Sequence, residues 1–123
     1  MPPIPVVVVV EDETALGHVI RDVLTDEGYE VLPVRDQYAA VATLRSQKVD
    51  LVIADLPSPS DGQADPVAEI ENDFPDVPLI LLREQTPQDV PFFGPWRQRG
   101  SKVTLRRPFR LDDLLTVTRH ILD

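Results

Sequence analysis

Residues 6–13 have the sequence VVVVVEDE, in which five consecutive valines are followed by three acidic side chains. A continuous run of β-branched residues, as long as one strand and without alternation, is typical of a strand buried on both faces of a parallel sheet. Two further runs of this kind occur at 51–54 (LVIA) and 79–82 (LILL). Together they predict a parallel sheet that carries helices on both faces.

Helical patterns lie between these runs. Asp36 is a residue type that caps helices, and it predicts a helix that ends near Gln47. Before it, a first helix is expected to end at Gly28, where a glycine C-cap belongs. The apolar positions of this first helix are Ala15, Leu16, Val19, Ile20, Val23 and Leu24.

Prolines mark the limits of the remaining elements. Asp65 followed by Pro66 predicts the start of a third helix, which must end before Pro75. A last helix is expected after Pro108, with its buried stripe at Leu111, Leu114, Leu115, Thr118, Ile121 and Leu122. Between them, a capping pattern at 86–89 predicts a fourth helix of one or two turns, followed by irregular chain up to Gly100.

Two more strands complete the pattern, at 31–34 and about 102–106. Pro33 interrupts the first of them and favours a position at the edge of the sheet, because proline cannot donate to a strand ladder. Strands and helices alternate without repeats or linkers, so residues 1–123 are expected to form one doubly wound α/β domain. With Pro33 at an edge, the expected strand order is 2-1-3-4-5.

Composition excludes several functional classes. The chain has 123 residues, no cysteine and a formal net charge of -9. Without cysteine there is no disulfide framework, thiolate zinc site, iron–sulfur cluster or cysteine nucleophile. The longest apolar run, residues 4–10, is too short to span a membrane. The negative charge disfavours nucleic acid as a partner, and a cytoplasmic protein without membrane association is expected.

Charged residues follow the strands at the ends where they converge. Glu11, Asp12 and Asp55 are the acids in this position, and Arg83 and Arg107 are the arginines. The carboxyl ends of parallel strands form the crevice where such folds bind ligands. One or two carboxylates with water and a phosphate suit Mg²⁺, and an aspartate beside such an ion can attack a phosphoryl group.

Several ordered motifs make the chain resemble the receiver domain of two-component response regulators, over essentially its whole length. The motifs are VVVVVEDE, VDLVIADLPSPSDG at 49–62, VPLILL at 77–82, RRPF at 106–109 and LDDLL at 111–115. The resemblance implies a flavodoxin-like (βα)5 fold and a phosphoacceptor at Asp55. It further implies Mg²⁺ held by Glu11, Asp12, Asp55 and the main-chain carbonyl of Pro57, and a histidine kinase or phosphotransfer protein as the phosphoryl donor.

Three positions depart from the family pattern. Arg83 stands where the family has a threonine or serine that contacts the phosphoryl group, Arg107 replaces the lysine, and Thr104 replaces the aromatic residue of the last strand. The two arginines are therefore the expected phosphate contacts, although Arg83 as a plain surface residue, or as a permanent partner of Asp55, stays open. The alternative function is a pseudo-receiver, a protein-interaction module independent of phosphorylation.

Enzymes of other classes are disfavoured. Phosphatases with an aspartate nucleophile need a second aspartate two residues later, whereas Asp55 is followed by Leu56 and Pro57. A flavin site is weaker still, because the loop after the first strand is acidic where a flavin phosphate needs hydroxyls and amides. The expected protein is thus a signalling domain that at most catalyses its own phosphorylation and dephosphorylation.

A basic segment lies near the end of the chain. Residues 97–110 contain no acid and hold six of the 12 basic side chains. Basic and aromatic residues together can bind single-stranded nucleic acid, but the acidic remainder of the chain favours a protein partner. Residues 87–110 are therefore the expected surface for a homodimer or an output partner.

Overall fold

The computed structural model describes residues 3–11, 15–55, 67–84, 96–99, 102–107 and 109–122. Six strands and four helices lie in these ranges. The strands are β1 (Val6–Val10), β2 (Glu30–Val34), β3 (Leu51–Ala54), β4 (Leu79–Glu84), β5 (Trp96–Arg99) and β6 (Lys102–Arg107). The helices are α1 (Ala15–Asp26), α2 (Gln37–Ser46), α3 (Ala68–Asp73) and α4 (Leu111–Leu122). None of the described helices is long and apolar enough to cross a membrane.

The strands form one sheet in the order β2-β1-β3-β4-β6-β5. All neighbours from β2 to β6 in this order are parallel. The predicted order 2-1-3-4-5 of five parallel strands is thereby confirmed, and so is the doubly wound α/β class. Pro33 lies in the edge strand β2, as expected from its missing N–H group.

The expectation of irregular chain up to Gly100 is wrong. Trp96–Arg99 is a strand that pairs antiparallel with β6, with Trp96 opposite Leu105 and Arg99 opposite Lys102. Two residues separate the paired ends, and a connection this short joins antiparallel neighbours. No proline lies within this strand, so nothing there blocks the ladder. The short fourth helix predicted after Thr86 lies outside the described residues.

The core has two halves, one on each face of the sheet. Residues Val7 to Val10 of β1 are at most 1 % exposed, which confirms that the valine run is buried on both faces. Alternate valines belong to different halves, because side chains in a strand point to opposite faces. Val7 and Val9 pack with Ile20 of α1 and Leu114 of α4, whereas the alternate valines pack in the half formed with α2 and α3.

The predicted ends of two helices are confirmed by their hydrogen bonds. Gly28 has a φ of 97°, and its N–H donates to Thr25 O while Tyr29 N–H donates to Leu24 O. This pair of bonds is the Schellman motif, in which a glycine adopts the left-handed conformation. Asp36 Oδ1 accepts the Ala39 N–H at 2.8 Å and caps α2.

The buried faces of the helices differ in detail from the expected stripes. In α1, Val19 is 41 % exposed, and the buried positions are Gly17, Ile20 and Leu24. The predicted stripe is too wide, because an apolar residue at its border need not face the core. In α4, Leu114 and Thr118 are buried as predicted, together with Val117.

The proposed cap at Asp65 and Pro66 lies outside the described residues, but α3 does end before Pro75.

Candidate functional site

Two of the predicted site carboxylates directly follow neighbouring strands, at the same level of the sheet. Val10 of β1 is paired with Ala54 of β3, so Glu11 and Asp55 are the next residues on two adjacent strands. The N–H of Asp55 donates to the carbonyl of Val10 at 2.8 Å and extends the ladder by one bond. Neighbouring strands lie about 4.8 Å apart, so the structure brings these two acids together at the carboxyl edge of the sheet.

Glu11 is fixed more firmly than a loop acid would be. Its N–H donates to the carbonyl of Val34 at 3.0 Å, which ties the residue to the edge strand β2. Only 5 % of Glu11 is exposed, whereas Asp55 is partly exposed. Its carboxyl group lies directly over Gly17 of α1, where a Cβ atom would overlap it. The site therefore pairs one buried carboxylate with one that solvent can reach.

The donor chemistry at this edge fits Mg²⁺. Mg²⁺ prefers oxygen ligands and is usually held by one or two carboxylates, with waters and substrate phosphates in its other positions. Glu11 and Asp55 are the two expected carboxylate ligands among the described residues. Asp12 and Pro57, the other expected ligands, lie outside the described residues. Among the residues that are described, no group of three or more acidic or histidine side chains forms a metal cluster.

The two arginines occupy the same edge of the sheet on the neighbouring strands. β4 continues to Glu84, so Arg83 lies within the strand and the expected strand end at Leu82 is wrong. The ladder continues past the apolar run because Arg83 pairs with Arg106 and Glu84 with Arg107. Backbone pairing does not depend on whether the side chains are apolar. Arg83 lies two residues beyond Leu81, the partner of Ala54.

Thr104 lies deeper in the sheet than the two arginines. It is partly buried and pairs with Leu81 on one side and Arg97 on the other. Gly17, which lies against the Glu11 carboxyl group, was not among the expected site residues. A glycine inside a helical pattern was the available signal, because such a glycine lowers helix stability and usually has a packing reason.

Residues 7–119 match the family described as the response regulator receiver domain. The chain belongs to this family. The resemblance inferred from the motifs is thereby confirmed, and the protein is a receiver domain of the response regulators of two-component signalling. Phosphorylation on an aspartate is general to these domains, and they generally bind Mg²⁺.

Two curated relatives of this receiver domain are named as regulatory proteins. The chain is 26 % identical to the probable transcriptional regulatory protein TcrX of Mycobacterium tuberculosis, over 94 % of this chain and 49 % of that protein. It is 24 % identical to the nitrogen assimilation regulatory protein NtrX of Azorhizobium caulinodans, over 95 % of this chain and 26 % of that protein. The receiver domain thus spans between about a quarter and a half of the length of these relatives.

Solved receiver structures share the fold. The response regulator TrrA of Thermotoga maritima, in complex with Mg²⁺ and BeF, has a TM-score of 0.69 at 22 % identity and covers 97 % of this chain and 100 % of its own. The complex of TrrA with the histidine kinase ThkA gives a TM-score of 0.68 at 23 % identity, covering 98 % of this chain and 100 % of its own. These likenesses support the sheet order and the placement of its carboxyl edge.

Proposed function

We propose that this receiver domain accepts a phosphoryl group on Asp55 with the help of Mg²⁺. The observation that carries the proposal is the pairing of Val10 with Ala54, which sets Glu11 and Asp55 side by side at the carboxyl edge of the sheet. Asp12 and the main-chain carbonyl of Pro57 complete the proposed ligand set. The partial exposure of Asp55 is what an incoming phosphodonor requires.

The proposed reaction is a displacement at phosphorus. One carboxylate oxygen of Asp55 forms a bond to the phosphorus atom while the bond from phosphorus to the donor atom breaks. The donor atom, a histidine ring nitrogen in a protein or a carboxylate oxygen in acetyl phosphate, leaves with the electron pair. Bound Mg²⁺ would supply positive charge for the phosphoryl oxygens and for the crowded carboxylates. Glu11 would offer that ion a buried carboxyl group on a backbone held by β2.

Arg83 and Arg107 are the proposed contacts of the phosphoryl oxygens. Arg83 lies near the carboxyl end of β4, the neighbour of β3, and Arg107 is the last residue of β6, the next strand in the sheet. An arginine keeps its charge at every relevant pH and presents a planar fork of donors that suits phosphate. Two arginines in place of a hydroxyl and a lysine give this domain a more basic phosphate site than the family pattern.

Partners follow from the same proposal. A histidine kinase or a phosphotransfer protein would deliver the phosphoryl group, in keeping with the crystallised pair of TrrA and ThkA. Residues 87–110 remain the proposed surface for a second copy or for an output partner. The regulatory relatives carry further chain beyond their matching regions, so an output domain is one such partner. A cytoplasmic location stays a prediction.

Intact-mass spectrometry tests the proposal. The protein is incubated with acetyl phosphate and Mg²⁺, alongside Asp55→Asn and the matched control Asp22→Asn, which removes an exposed acid of α1. The expected result is one phosphoryl adduct on the wild type and on Asp22→Asn, and none on Asp55→Asn. Absence of any adduct, together with no measurable affinity for Mg²⁺ in calorimetry, would overturn the proposal in favour of a pseudo-receiver.

A further inference from the structure

The contact between Glu11 and Gly17 joins the candidate cation site to helix α1. Gly17 is the third residue of α1 and is buried. A Cβ atom at this position would overlap the carboxyl group of Glu11, including both of its oxygens. The carboxylate thus occupies the space that any other residue at position 17 would fill with its own side chain.

Local conformation does not explain the glycine. Among the described glycines, Gly28 alone has a positive φ, and Gly17 lies in regular helix. Glycine inside a helix is less stable than alanine because it loses more backbone entropy on folding. The remaining reason for a glycine is room, since its missing side chain allows a group to approach the backbone closely.

The space is matched to the length of a glutamate. Glu11 directly follows β1, and its N–H is held by Val34 O at 3.0 Å, so its backbone cannot move far. From that fixed point the side chain reaches α1, and only 5 % of the residue is exposed. With backbone and carboxyl group both confined, few side-chain conformations are left to Glu11.

We propose that Gly17 is a positioning residue for the cation site. It leaves the space in which the Glu11 carboxylate is held against α1. The proposal rests on the proposed function, because it assigns Glu11 to the ion. A carboxylate held in one place before the ion arrives does not have to be ordered on binding. An alanine at position 17 would displace the carboxyl group from this position and leave the rest of the helix intact.

Calorimetric titration with Mg²⁺ tests this role. Interactions that orient a metal ligand change affinity by about 10- to 100-fold, so Gly17→Ala is expected to weaken Mg²⁺ binding at least about tenfold. Val19→Ala is the matched control, because it alters an exposed position of the same helix. Glu11→Asp shortens the side chain by one methylene, and in the double variant it is expected to recover part of the affinity lost in Gly17→Ala.

Thermal unfolding without Mg²⁺ gives a second readout. In a Glu11→Ala background no carboxyl group lies against position 17, so Gly17→Ala should raise the Tm because alanine has the higher helix propensity. In the wild-type background the overlap should cancel that gain or reverse it. An equal gain in both backgrounds, or an unchanged Mg²⁺ affinity in Gly17→Ala, overturns the role of Gly17 alone. A wild-type protein that binds no Mg²⁺ overturns the proposed function and this role with it.

Discussion

Asp50 joins the amino-terminal ends of the two strands that carry the candidate carboxylates. Its N–H donates to Val6 O at 2.9 Å, and its Oδ2 accepts the N–H of Val6 at 2.8 Å. These two hydrogen bonds lie just before the pair of Val7 and Leu51, which is the first pair of the ladder between β1 and β3. We predict that Asp50→Ala destabilises the domain, because the side-chain acceptor of the Val6 N–H is lost.

The structure sets the size of the effect. A hydrogen bond to a charged acceptor contributes about 1.5–3 kcal/mol. The bond from Val6 to Asp50 is partly buried, so water replaces the lost acceptor in part. We therefore expect the free energy of unfolding to fall by about 1–2 kcal/mol in Asp50→Ala. For a domain of this size that corresponds to a fall in Tm of roughly 3–10 °C. Asp50→Asn keeps an acceptor oxygen and should lose less than half as much.

Chemical denaturation followed by circular dichroism measures the change in unfolding free energy. Amide hydrogen exchange at Val6, followed by NMR, gives the local effect. Exchange at this amide should accelerate in Asp50→Ala more than exchange in the centre of β3. A loss of stability below about 0.5 kcal/mol, the ordinary range of surface substitutions, together with unchanged exchange at Val6 would refute the reasoning.

Two further predictions concern the ends of α1 and α4. Gly28→Ala should lower the free energy of unfolding by about 1 kcal/mol. The cause is backbone strain at a φ of 97°, because no atom lies within 4 Å of the added Cβ. Gly28→Asn should lose less stability in thermal unfolding, and equal losses would contradict a conformational cause. Arg119 donates to Glu27 through Nε at 3.2 Å and Nη2 at 2.5 Å. A double-mutant cycle on this exposed pair should give a coupling below about 1 kcal/mol that shrinks with salt, and a coupling that salt leaves unchanged would contradict it.

Burial explains why most of the sheet was predictable. A central parallel strand needs apolar side chains on both faces, and the valine run of β1 carries that requirement directly in the sequence. β5 carries no such signal, because its residues WRQR are mostly polar. It is stabilised by pairing with β6, and the prolines around it pointed to irregular chain. Gly100 and Ser101 between two short segments were the overlooked hairpin signal.

The site was predictable to the extent that strand ends determine it. Glu11 and Asp55 were placed together because each directly follows a recognisable strand. The expected end of β4 at its last apolar residue is wrong, because backbone pairing continues through Arg83 whether or not the side chain is apolar. A glycine inside the helical pattern was a signal for Gly17, but the sequence could not name its partner, because that depends on the path of a side chain from another element.

The antiparallel strand β5 removes β6 from the edge of the sheet. Without it, β6 would be an edge strand held by β4 alone. With it, β6 has a ladder on each side, one parallel and one antiparallel. A shift of β6 along its own axis therefore breaks hydrogen bonds on both sides. Among the described strands, the edge on this side of the sheet is the four-residue β5, so β6 itself is not available for pairing with a strand of another protein.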